Sequence, residues 1–182
     1  PRQPGEVQAT GTLPISGEGT LAQAPESERS RPDWVGEARA NLTGLLDRRR
    51  FRGELDQYVS FSARYGGQGA VMIIDIDDLK SINDSHGHHA GDTLIRQIAA
   101  ILRERVRATD IVARLSGDEF AVLMPQTDVD GALQLGEDLR AQVAEEASPA
   151  PEADGASISV GITMFGGERS VGAEAVLVAA DQ

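Results

Sequence analysis

From Asn41 onward the apolar positions fall into segments of two distinct periods. Leu45, Phe51, Leu55, Tyr58 and Val59 recur at spacings that share one helical stripe, and Gly66, Gly67 and Gly69 close that helix. "AVMIIDID" then reads as a buried strand, apolar on both faces until its last residues. "DDLKSIND" is a short helical turn with Asp77 as its N-cap, and "SHGHHAGD" is a polar loop leading into a second long helix. In that helix Leu94, Ile98 and Leu102 stand four residues apart. Residues 111–115 and 119–125 form a hairpin, and a third helix carries Ala132, Leu135, Leu139 and Val143 on one face. "ASPAPEADGA" is loop, "SISVGITMF" alternates as a half-exposed strand, and "GAEAVLVAADQ" begins a last helix. This order predicts an α/β (α+β) fold, with a central, mainly antiparallel sheet of about five strands flanked by helices.

Composition narrows the partners. The 182 residues carry a net charge of -12 and 4% aromatic residues. That balance argues against a nucleic acid or an anionic membrane surface, which call for clustered Lys and Arg, and against a stacking platform for single strands. With no Cys there is no disulfide framework and no thiolate zinc site. The sequence shows no signal peptide and no long apolar run, so a soluble, cytoplasmic piece is expected. Residues 1–33 mix Pro1, Pro4, Pro14, Pro25 and Pro32 with Gly, Ser, Glu and Gln, a composition that reads as a flexible linker ahead of a domain spanning 34–182. A start at Pro and an end inside a helical pattern suggest part of a longer chain.

Two acidic groups interrupt the apolar strands. Asp75 and Asp77 follow "VMII", and Asp118 with Glu119 occupies the hairpin turn. Alternation puts Asp75 and Asp77 on one face, and a hairpin pairing beside that strand would bring Asp75 and Asp118 together. Clustered carboxylates repel unless a cation intervenes, and oxygen donors of this kind favour Mg²⁺ or Mn²⁺ in phosphoryl chemistry. Gly117 allows a phosphate to approach the backbone closely. The same residues also suit a plain polar turn and helix caps.

Residues 41–182 resemble the GGDEF family of bacterial diguanylate cyclases. The matching stretches are "LTGLLDRRRF", "IDIDDLKSINDSHGHHAGD", "RATDIVARLSGDEF" and "SISVGIT", in family order. The resemblance implies a fold like that of nucleotide cyclases and polymerase palms. It implies condensation of two GTP into cyclic di-GMP and two pyrophosphates, across a homodimer controlled by an upstream sensory module. It assigns Asp75, the Ile76 carbonyl, Asp118 and Glu119 to the metal, with Asp118 nearest the attacking hydroxyl and Glu119 at a second metal position. Lys80 would stabilise the triphosphate, Asn83 and Asp92 would read guanine, and His88 would be a further substrate contact. Ser116 and Gly117 would lie under the nucleotide. Arg107 and Asp110, in "RATD", would form a product-inhibition site for cyclic di-GMP, where the residues alone also suit a local ion pair. His86, His88 and His89 invite zinc, but a closed site needs four ligands and no Cys accompanies them.

Three departures stand out. Ser116 replaces the first Gly of the signature, at a cost of about 1–2 kcal/mol if that position needs positive φ. Ala40 stands where the family has Asp, and the Lys and Arg that hold the triphosphate in the family lie past "AADQ". The alternative these departures leave is a catalytically inactive domain that binds GTP or cyclic di-GMP as a regulatory module.

Overall fold

A computed structural model of the chain describes residues 42–150, 155–166 and 172–180. The linker expected at 1–33, the departure at Ala40 and the end of the chain past Ala180 lie outside the described residues.

The first helix, α1 (Arg48–Tyr65), starts where Asp47 caps it, its Oδ1 accepting the Arg50 N–H at 2.8 Å. It ends at Gly66, whose φ of 80° suits a residue without Cβ. Strand β1 (Gln68–Ile76) follows, then α2 (Leu79–His86) and α3 (His88–Arg105). The hairpin is β2 (Ile111–Arg114) and β3 (Glu119–Pro125), followed by α4 (Val129–Glu146), β4 (Ile158–Gly166) and α5 (Ala173–Ala180). Asp128 caps α4 by accepting the Gly131 N–H at 2.8 Å.

The sheet runs β2-β3-β1-β4, and every neighbouring pair is antiparallel. Strand alternation sorts its side chains into two cores. Ala70, Met72, Ile74 and Ile76, with Phe120, Val122 and Met124, pack with Leu94, Ile98 and Leu102 of α3 and with Leu139 and Val143 of α4. Val71, Ile73, Ala121 and Leu123 pack on the opposite face with Phe51 and Leu55 of α1 and Val176 of α5. The two central strands are therefore buried on both faces, which explains their near-continuous apolar runs.

The described residues hold four strands rather than about five. Leu45 lies before α1 and packs in the α3 core, apart from the Phe51 stripe it was expected to share. "SHGHHAGD" is not a loop: α2 and α3 are divided only by Gly87, at φ 83°, where the chain turns without unwinding. Gly69 belongs to β1, where an added Cβ would run into the Phe165 ring. Asp78, not Asp77, holds the N-cap position of α2, in a left-handed conformation (φ 55°) and without a side-chain cap bond.

Phe120 is wholly buried between β1 and the α3 layer. Replacing it with Ala is expected to cost about 3–5 kcal/mol of stability, read as a lower urea midpoint at unchanged slope.

Candidate active site

The site forms where β1 leaves the sheet beside the hairpin tip. Asp75 lies directly opposite Glu119 in the β1–β3 ladder. The Ile76 N–H donates to the Asp118 carbonyl at 3.1 Å. The ladder bond thus falls on the 76–118 pair and leaves Asp75 and Glu119 as a non-hydrogen-bonded pair, the kind whose side chains come closest. Their Cβ atoms are then on the order of 5 Å apart. Like charges so placed repel. Arg48, on the first turn of α1, offsets part of this from 3.8 Å away from Glu119. It is mostly exposed, so the ion pair is weak.

The hairpin does pair beside β1, and the register sets Glu119 directly across from Asp75, with Asp118 one residue along, in the turn. Asp77 is a correction. It does not cap α2: its Oδ2 accepts from the Ser157 hydroxyl at 2.6 Å and its Oδ1 from the Ser159 hydroxyl at 2.7 Å. Its N–H also donates to the Ser157 carbonyl at 3.1 Å. Three bonds thus tie the exit of β1 to the start of β4.

The hairpin turn runs through Ser116, Gly117 and Asp118. Neither Ser116 nor Gly117 is among the described residues at positive φ, so the strain expected of Ser116 does not arise. A Cβ on Gly117 would meet nothing within 4 Å. The protein itself therefore does not require glycine there, and the space above Gly117 is open. The Ser116 hydroxyl stands 3.5 Å from the Asp118 carboxylate.

Asn83 lies on α2 and Asp92 on α3. The Asn83 amide lies against Gly91, so closely that a Cβ at 91 would overlap its Oδ1. That contact sets Asn83 beside Asp92, the next residue of α3. Lys80 and His88 are exposed, on the first turns of α2 and α3; His89, beside His88, and His86, at the end of α2, are exposed as well.

Arg114 was not foreseen. Its Nε donates to the Ser116 carbonyl at 3.0 Å and its Nη2 to the Gly117 carbonyl at 2.6 Å. Burial pulls its guanidinium below the usual arginine range, while the nearby Asp92 and Asp118 carboxylates oppose that shift. An Arg closing a strand two residues before a Ser–Gly turn was the available signal. Gly91, inside a helix where glycine costs about 1 kcal/mol against Ala, was a second.

Arg107 and Asp110 lie apart from this group, at the opposite end of β2, roughly 13 Å of strand away. The Asp110 carboxylate accepts the Arg107 backbone N–H at 3.0 Å, and the Asp110 N–H returns a bond to the Arg107 carbonyl at 3.0 Å. Asp110 thus shapes the turn through Arg107's backbone, and Arg107 itself is exposed.

Comparison with known proteins decides the family. Residues 39–182 match the family described as diguanylate cyclase, GGDEF domain. The chain belongs to the GGDEF family. It is 42% identical over 144 residues to the diguanylate cyclase DgcP of Pseudomonas aeruginosa, covering 78% of this chain and 21% of that one. It is 39% identical over 146 residues to the response regulator PleD of Caulobacter vibrioides, covering 78% and 32%. The chain thus spans about a fifth to a third of the length of these curated relatives. Among solved structures, the GGDEF domain of TpbB from Pseudomonas aeruginosa superposes with a TM-score of 0.69 at 34% identity, covering 77% and 83% of the two chains. The GGDEF domain of DgcB from Caulobacter crescentus, in complex with c-di-GMP, gives 0.71 at 25% identity, covering 78% and 84%.

The family implies a divalent metal, and the donor set of this GGDEF domain suits one. Asp75, Asp118, Glu119 and the Ile76 carbonyl offer oxygen only, the preference of Mg²⁺ or Mn²⁺. Two opposed carboxylates at a sheet end are a repulsion that a cation turns into attraction. Among the described residues no three His, Cys, Asp or Glu side chains are already gathered as a cage.

Because Ser116 is unstrained, Ser116→Gly is expected to leave stability within about 0.5 kcal/mol of the unchanged domain in urea unfolding.

Proposed function

We propose that this GGDEF domain condenses two GTP molecules into cyclic di-GMP and two pyrophosphates. The observation that carries the reading is the register that sets Asp75 against Glu119, with the Asp118 turn one residue on. Each 3′-hydroxyl attacks the α-phosphate of the other nucleotide. Two P–O bonds form, two pyrophosphates leave, and each hydroxyl gives up its proton.

Asp118, at the tip, accepts or directs that proton. Asp75, Glu119, Asp118 and the Ile76 carbonyl hold Mg²⁺ or Mn²⁺, which when bound polarises the phosphate and acidifies the hydroxyl. Lys80 meets developing charge on the triphosphate, and His88 adds a contact from the first turn of α3. Asn83 and Asp92 read the base. A carboxylate accepts from guanine N1–H and N2–H, donors that adenine cannot offer there. Ser116 and Gly117 pass beneath the nucleotide, where the open space above Gly117 fits a ligand.

One chain supplies half of this arrangement, so a homodimer brings two nucleotides face to face. An upstream sensory module joined through the segment before residue 34 sets how often that happens. Cyclic di-GMP feeds back at Arg107 and Asp110, where an exposed guanidinium suits a phosphate. The setting is the cytoplasm, and among the described residues no helix is long and apolar enough to cross a membrane. The unstrained Ser116 removes one reason to read the domain as a binding module without chemistry.

Asp118→Ala is expected to lower product formation from GTP and Mg²⁺ by at least about 10²-fold, with circular dichroism and melting unchanged. Chromatography of the reaction reads the product, and undiminished turnover would defeat the assignment. Chelation of the metal should stop the reaction and added Mg²⁺ restore it. Arg107→Ala is expected to raise the cyclic di-GMP concentration needed for half-inhibition about tenfold, the loss of one charge-assisted contact. An unchanged inhibition curve would remove Arg107 from the product site.

A further inference from the structure

We infer that Arg114 is a positioning residue: its guanidinium holds the Ser116–Asp118 turn in the geometry the chemistry needs. The inference rests on the GTP reading above.

Arg114 ends β2, and its backbone N–H is already spent on the Leu46 carbonyl at 2.8 Å. Alternation sends its side chain to the α3 side of the sheet, opposite to Ala113, which is buried against α1. There it turns back on its own hairpin. Nε and Nη2 lie on one edge of a planar group, and that edge meets two successive carbonyls, of Ser116 and Gly117. Two parallel donors to consecutive peptide units fix the orientation of both. A single bond would leave the turn free to rotate.

The Asp118 end of the turn is tied to β1 by the Ile76 N–H, and the other end is held by two backbone bonds besides those of Arg114. The Leu115 N–H reaches the Glu119 carbonyl at 2.8 Å and the Ser116 N–H reaches the same oxygen at 3.3 Å. Gly117 has no Cβ neighbours to restrain it. The guanidinium also stands close enough to Asp92 and Asp118 for both carboxylates to act on it.

Lysine could keep the charge but not the two-carbonyl fork. Asn83 and Asp92 stay anchored on α2 and α3 without Arg114, so ground-state binding of the base should survive its loss. Asp118 moves with the turn, and its work is done in the transition state. An interaction made only there lowers kcat and kcat/KM together.

The test uses the whole chain and the variants R114K and R114Q, with fold checked by circular dichroism. Without nucleotide, amide hydrogen exchange at Leu115 and Ser116 should speed up about tenfold or more in R114K, while amides of β1 and β3 keep their rates. With GTP and Mg²⁺, kcat should fall about tenfold or more and KM shift by less than about threefold. In the unchanged protein the Arg114 Nε–H should give a slowly exchanging NMR signal, which needs no variant to fold. Unaltered turn exchange in both variants, or a fast-exchanging Nε–H, would overturn the inference. So would a change confined to KM. If the exchange difference appears but the unchanged domain binds no GTP by calorimetry, the GTP reading is what fails, and the hold on the turn stands.

Discussion

The site depends on one strand register. Glu119 begins β3 and Asp75 is the last residue but one of β1, and their pairing fixes where the acids of the sheet end lie. Because strand side chains alternate with a period of two, a slip of one residue would carry Met72, Ile74, Phe120 and Val122 out of the α3 core. The buried apolar rows therefore enforce the alignment, and the acids at the end are carried into opposition as a result. Packing in the middle of the sheet provides the free energy that holds two like charges together at its edge.

The second half of the site is placed by helices rather than strands. Gly87 lets α2 and α3 follow one another with a single residue between them. Gly91 then lets the α2 amide of Asn83 sit flush on α3. Two glycines thus supply the close approach that brings a helix-borne amide next to a helix-borne carboxylate. Arg114, whose two bonds go to the Ser116 and Gly117 carbonyls of the hairpin, brings its positive charge near the Asp92 carboxylate of that pair.

Much of this was legible from the sequence, and the misses share a cause. Long periodic runs announced α3 and α4, and the double-sided apolar strands announced β1 and β3, because burial acts on many residues at once. The acids at 75, 118 and 119 stood out for the opposite reason, as polar interruptions in such runs. Register was less visible. Alternation says which face a residue takes but not which partner it meets, so the place of Glu119 directly opposite Asp75 was not legible. Asp77 looked like a helix cap because its true partners, Ser157 and Ser159, lie about eighty residues away. "SHGHHAGD" looked like a loop because three polar His residues hid two helix termini around one glycine. Arg114 escaped notice because a lone arginine is usually a solvated charge, and only coordinates show it bent back on its own turn.

The Asp77 clamp also orders events during synthesis. The hydroxyls it needs arrive 80 and 82 residues after it, beyond the whole of the hairpin and α4. A ribosome making roughly 5–20 residues per second delays their arrival by several seconds. Helices α1 to α3 and the β2–β3 ribbon rest on local contacts and can begin to form in that interval. The Asp77 side of the β1 exit stays untied until β4 docks, so the last large strand to emerge is also a latch on the end of the sheet that carries the acids.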